Sequence, residues 1–120
     1  RLKAEKTTEN VPPSLNILFA PELQRYFMEW MQYDPAEELA KVSVPGLIIQ
    51  GGHDCQIPPE NGERLIRTAP DNQYAEIATM NHVLKATPAD CAAAIASYNN
   101  PALPLHQELV PAITRFLSAR

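Results

Sequence analysis

Two polar side chains in this sequence stand where chemistry is commonly done. Asp54 follows an apolar run and a glycine pair, in Leu47-Ile48-Ile49-Gln50-Gly51-Gly52-His53-Asp54. His82 stands 28 residues further on, in Thr79-Met80-Asn81-His82. A carboxylate beside an imidazole is the pairing that activates a hydroxyl nucleophile. Histidine titrates close enough to neutrality to take the hydroxyl proton and return it to a leaving group. A buried carboxylate holds the imidazole in the required tautomer and stabilises the imidazolium that forms.

The two residues can act together only if the elements before them run side by side. Gly46–Gly51 is a continuous apolar run with two isoleucines and reads as a buried parallel strand. Gln73–Ala78 alternates and reads as a second strand. Between them Pro58-Pro59-Glu60 opens a helix over about 59–69, with Leu65 and Ile66 turned inward. Strand, helix and strand make a right-handed parallel crossover. The carboxyl ends of both strands then lie at one edge, where ligands gather in open α/β sheets. The spacing of Asp54 and His82 is that of one such crossover with its loops.

The flanking elements are helical. Phe19, Leu23, Tyr26, Phe27, Trp30 and Met31 share one face of a helix over 19–32, an aromatic stripe that reads as core or as a wall of an acyl pocket. Asp34-Pro35-Ala36-Glu37 has the pattern of a capped start and opens a short helix 35–41. Thr87-Pro88-Ala89-Asp90 repeats that pattern before an Ala-rich helix reaching about Tyr98, which Asn99-Asn100-Pro101 stops. The last helix spans about 107–118, with Leu109, Val110, Ile113, Phe116 and Leu117 on one face. Residues 1–18, polar and then Pro-rich, read as a connector or the remnant of a cap.

Val44-Pro45, the strand, Gln50-Gly51-Gly52-His53-Asp54 and Ile57-Pro58 resemble the acid-bearing segment of the α/β-hydrolase superfamily. Met80-Asn81-His82-Val83-Leu84-Lys85 resembles that superfamily's histidine loop. Trp30–Ala36 resembles the helix before the acid strand in bacterial esterases and serine-aminopeptidase-like hydrolases, and Leu103-Pro104-Leu105-His106 with the final helix resembles their tails. The likeness covers roughly residues 19–120. It implies an α/β fold in which two parallel strands with flanking helices are the C-terminal portion of an α/β-hydrolase, with Asp54 as triad acid and His82 as triad base. The chain order acid, then histidine, agrees with the order Ser, Asp or Glu, His of those enzymes. The implied reaction is hydrolysis of carboxylic esters, with amides or peptides as alternative substrates, and needs no metal or organic cofactor.

Two departures count. Thr79 stands where many relatives carry glycine. No G-x-S-x-G occurs: Ser14, Ser43, Ser97 and Ser118 all lack the glycines of a nucleophile elbow. The oxyanion hole, built near that elbow, is missing with it. The first residue is Arg1, and two parallel strands do not make a stable sheet by themselves. The expectation is therefore a fragment of a serine hydrolase that is inactive alone. The alternative is a non-catalytic α/β domain acting through self-association or a protein partner, since the first strand would present an unpaired edge.

Composition excludes other classes. The chain has 120 residues and a formal net charge of −4, a length that can bury about 65% of its unfolded surface. It has no basic stripe for nucleic acid and no apolar run of roughly 20 residues for a bilayer; a cytoplasmic site is the expectation. Gly51-Gly52 lacks the G-x-G-x-x-G spacing of a dinucleotide-binding unit. His53, Asp54 and Cys55 are adjacent, and adjacent residues rarely point at one metal ion. Cys55 and Cys91 read as two free thiols, and a disulfide between them would need Cα atoms within ~7 Å. His53 reads as a rim or surface residue and His106 as an aid to starting the last helix. Asn81 suits either a backbone bond near the histidine or a tight turn, and Met80 either packs under the loop or touches substrate. Lys85 and Arg67 are expected in solvent.

Overall fold

The computed structural model describes residues 7–119, so the polar stretch 1–6 lies outside the described residues. The architecture is mixed α/β: six helices and a two-stranded parallel sheet among the described residues. The chain divides into two units between Glu38 and Leu39.

The first unit is helical. A 3-10 turn at Pro13–Leu15 leads into α1 (Asn16–Phe19), and α2 (Pro21–Trp30) follows. The single helix expected over 19–32 is thus two. Ala20 is extended, with ψ 144°, because the residue before a proline is pushed out of the helical region. Pro21 then opens α2, where its missing N–H costs nothing. Residues 16–18 belong to α1. The aromatic stripe is not a closed core. Phe19 and Phe27 are half-buried with ring centroids 5.6 Å apart, whereas Tyr26 and Trp30 are 51% and 62% exposed. The buried side chain of α2 is Gln24. Its amide oxygen accepts the Thr8 N–H at 2.7 Å, and its amide nitrogen donates to the Thr8 and Phe19 carbonyls at 2.7 and 3.0 Å. A glutamine is buried here because it satisfies backbone groups that α1 and the preceding segment leave open. α3 (Pro35–Leu39) begins as its capping pattern predicts, with Asp34 Oδ1 accepting the Ala36 N–H at 2.9 Å.

The second unit carries β1 (Leu47–Gly51), α4 (Pro59–Thr68), β2 (Gln73–Ile77), α5 (Cys91–Ala96) and α6 (Leu109–Ser118). β1 and β2 pair in parallel, from Leu47 opposite Gln73 to Gly51 opposite Ile77. Both strands therefore end at the same level, and the Asp54 and His82 loops leave together. α4 packs on both strands, and α6 packs on β2. Gly62 of α4 faces the Gln50 and Tyr74 side chains at about 3.0 Å from where a Cβ would sit, which sets the closeness of helix and sheet. The core is small: Ile77, Met80 and Leu109, with Ile49 packed on it. Met80 thus lies under the histidine loop, the first of its two expected roles.

Two helices differ from their sequence patterns. In α5 the N-cap is Asp90, not Thr87: the Asp90 carboxylate accepts the Ala92 and Ala93 N–H groups. Thr87 is held before the helix, its N–H bonded to the Thr79 carbonyl beside an antiparallel bridge between Met80 and Ala86, and its buried hydroxyl caps nothing among the described residues. In α6 only part of the apolar face is covered. Leu109 and Ala112 are buried, but Val110, Ile113 and Leu117 are 59%, 39% and 62% exposed. Among the described residues no helix is long and apolar enough to cross a membrane.

Candidate active site

The acid loop and the base loop are joined by backbone before any side chain meets. The Gly52 N–H donates to the Ile77 carbonyl and the His53 N–H to the Met80 carbonyl, both at 3.0 Å. Such contact demands glycine. A Cβ on Gly51 would overlap the Met80 carbonyl, and one on Gly52 would overlap the Ala78 carbonyl. The glycine pair is thus a condition of close approach between the two loops.

Asp54 lies in a turn that it organises. Its Oδ1 accepts the Gln56 and Ile57 N–H groups at 2.8 and 2.9 Å. Its Oδ2 faces His82 Nδ1 at 3.0 Å. The carboxylate is 10% exposed and the imidazole 37%. An ionised carboxylate only accepts, so in the neutral ring Nδ1 carries the proton and Nε2 is left with its lone pair. No described residue bonds Nε2. This is the tautomer and orientation in which a histidine can take a proton from a hydroxyl.

Burial is the largest influence on the Asp54 carboxyl and pushes its pKa up. The Ile57 N–H, the His82 ring, the Gln56 N–H and the His82 charge together outweigh it, and the pKa falls below the ordinary 3.8. A lowered folded-state value means that Asp54 adds stability above its unfolded value, and that this is lost as pH falls through the folded one. The urea midpoint of Asp54→Asn should therefore drop less than that of the parent when pH is lowered from 5 through this acid range. Equal drops would show that Asp54 gains nothing from its partners.

The His82 loop is held from three sides. Asn81 is buried; its Oδ1 accepts the Val83 and Lys85 N–H groups at 3.2 and 3.0 Å, and its Nδ2 donates to Ser97 Oγ at 2.7 Å. It therefore bonds backbone, and it also ties the loop to α5. Leu84 takes a left-handed conformation, φ 63°, which costs a non-glycine residue about 1–2 kcal/mol. Its carbonyl is secured by the His106 N–H at 2.7 Å. His106 is buried; its Nδ1 accepts the Glu108 N–H at 3.2 Å, so in the neutral ring Nε2–H donates to Thr79 Oγ1 at 2.9 Å. Thr79, where a glycine was the family's expectation, thereby has its own role. His106 also closes the turn that leads into α6, its carbonyl accepting the Leu109 N–H. His53 is half-buried and its Nδ1 bonds the Thr87 carbonyl, which leaves it structural.

Two expectations are corrected. Cys55 and Cys91 are not free thiols: they form a disulfide with Cα atoms 5.7 Å apart. The crossover brings the acid loop against the start of α5, a proximity between residues 36 apart that no spacing rule reveals. Lys85 is not simply solvated. Its ammonium donates to the Ser97 and Asn100 carbonyls at 3.1 and 2.6 Å, at the C-terminal end of α5 where a cation is favoured. Arg67 does lie at the surface, 3.4 Å from Glu63. Tyr98, stacked on His82, carried no sequence signal. Among the described residues no group of three His, Cys, Asp or Glu side chains is placed to hold a metal ion.

No family model matches this chain. No solved structure matches it either. The chain is 53% identical over 38 residues to two *Escherichia coli* proteins, each described as an uncharacterized 31.7 kDa protein in the traX-finO intergenic region. The matched stretch spans 32% of this chain and 13% of each relative's length.

Proposed function

We propose that this chain is the acid–base part of a serine hydrolase acting on carboxylic esters, or on amides, in an α/β-hydrolase fold. The observation that carries the reading is the His82 Nδ1 to Asp54 Oδ2 contact at 3.0 Å, with Nε2 unbonded and the ring part-exposed. His82 is the base that takes the hydroxyl proton and passes it to the leaving group. Asp54 holds the tautomer and stabilises the imidazolium. The hydroxyl comes from sequence outside these 120 residues, because no serine here has an elbow's glycines. The disulfide favours an oxidising compartment over the cytoplasm, as such bonds persist where thiols are not kept reduced.

The test compares this chain with a polypeptide extending it N-terminally. The longer protein should hydrolyse p-nitrophenyl acetate and be blocked by a fluorophosphonate, and the chain alone should do neither. Serine-dependent turnover by the chain alone would overturn the missing nucleophile. A longer protein inert to both reagents would overturn the hydrolase reading.

A second reading has its own support. β1 pairs with β2 and with no other strand among the described residues, and Val110, Ile113 and Leu117 of α6 are exposed. An open edge beside apolar surface suits association with a second copy or a protein partner. Concentration-dependent sedimentation supports this reading, and a monomer at all concentrations counts against it.

A further inference from the structure

His82 is held at its edge by Asp54 and on one face by Tyr98. The two ring centroids are 6.4 Å apart with planes 27° from parallel, within the range of offset stacking. Tyr98 is itself anchored. Its hydroxyl accepts a hydrogen bond from Gln56 Nε2 at 2.9 Å, and the Gln56 N–H donates to Asp54 Oδ1 at 2.8 Å. The four residues close a circuit. The Asp54 carboxylate meets the His82 ring, that ring meets Tyr98, the Tyr98 hydroxyl meets the Gln56 side chain, and the Gln56 backbone returns to Asp54. A covalent bond reinforces it: Cys55, between Asp54 and Gln56, is joined to Cys91, the first residue of the helix that leads to Tyr98.

One hydrogen bond fixes where the Nδ1 edge of an imidazole sits but leaves the ring free to tilt about that bond. A flat surface against one face restricts the tilt, and with it the direction in which Nε2 points. We propose that Tyr98 is a positioning residue for His82, with Gln56 as its anchor. This rests on the reading of His82 as the base, and it adds a group that acid and base alone do not require. Gln56 does double duty, since its backbone serves the acid and its side chain serves the base through Tyr98.

The experiment is NMR of the chain with isotope-labelled histidine. It has three histidines, and His53 and His106 are bonded away from Tyr98, so they report on the fold. Tyr98→Ala should move the His82 ring resonances and speed exchange of its Nδ1 proton, with His53 and His106 unchanged. Tyr98→Phe, which keeps the stacked ring but loses the Gln56 bond, should move the His82 resonances less than Tyr98→Ala does. Unchanged His82 resonances in Tyr98→Ala, or all three histidines moving together, would overturn the proposal. If Tyr98→Ala does not fold, Gln56→Ala decides, because it frees the Tyr98 hydroxyl and keeps the backbone donor to Asp54. A change at His82 alone supports the proposal, and none overturns it. In an N-terminally extended, active protein, Tyr98→Ala should lower kcat about tenfold with KM little changed, as misplacement of a reacting group does. Absence of activity in the unsubstituted extended protein would count against the hydrolase reading and leave the NMR result standing.

Discussion

On the proposed hydrolase reading, Asp54→Asn should lower kcat on p-nitrophenyl esters about 10⁴-fold in an N-terminally extended, active protein. The geometry gives the reason. In the parent the carboxylate only accepts, so the His82 proton must sit on Nδ1 and the Nε2 lone pair is available. An amide can turn its NH2 toward Nδ1. The proton then moves to Nε2, and the ring has nothing with which to take the hydroxyl proton. The imidazolium of the transition state also loses its counter-charge. The fold should tolerate the change, because an amide oxygen can still accept the Gln56 and Ile57 N–H groups. Steady-state kinetics beside a urea titration separate the two effects. Activity within tenfold of the parent would show that Asp54 does not govern the tautomer. His82→Ala removes the base itself and should cost still more, on the order of 10⁶-fold.

The second large effect concerns stability. Serine at both Cys55 and Cys91 should destabilise the chain by about 2–4 kcal/mol. The bond closes a loop between residues 36 apart. That loop contains α4, β2 and the base loop, so opening it releases the denatured chain from a constraint spanning the whole crossover. It matters more here than in a larger domain because the buried apolar cluster is Ile77, Met80 and Leu109 with Ile49 beside it. A small core supplies little against chain entropy. The check is the urea midpoint of the oxidised chain against Cys55→Ser/Cys91→Ser, with dithiothreitol on the parent as a second route to the same state. Coincident transitions would mean that the bond contributes nothing.

Local signals in the sequence were read well where local physics controls them. The apolar run before Asp54, the alternation before His82 and the proline opening α4 each report a backbone preference within a few residues. Together they place both loops at one end of a parallel pair, and β1 and β2 are in register there. The Asp34 cap was legible for the same reason, being a bond across two residues. Where two local rules compete, the sequence pattern alone misleads. A continuous apolar stripe suggested one helix over 19–32, but Pro21 forces Ala20 into extended backbone and splits it. Thr87 and Asp90 are both good caps, but the Thr87 backbone is held against Thr79 and the helix starts at Cys91, so Asp90 takes the position.

By itself the sequence determined which residue types stand after each strand, and hence that a carboxylate and an imidazole could meet. Tertiary structure alone decided that they do, at 3.0 Å, with Nδ1 as the contacted nitrogen. It also decided that Cys55 joins Cys91, that Lys85 closes the end of α5, and that Tyr98 lies on the imidazole. The physical reason is range. Strand, helix and cap preferences arise from neighbours along the chain, whereas these pairings join residues 12 to 36 positions apart. Their partners are chosen by how the crossover brings α5 over the two loops, and no single segment carries that information.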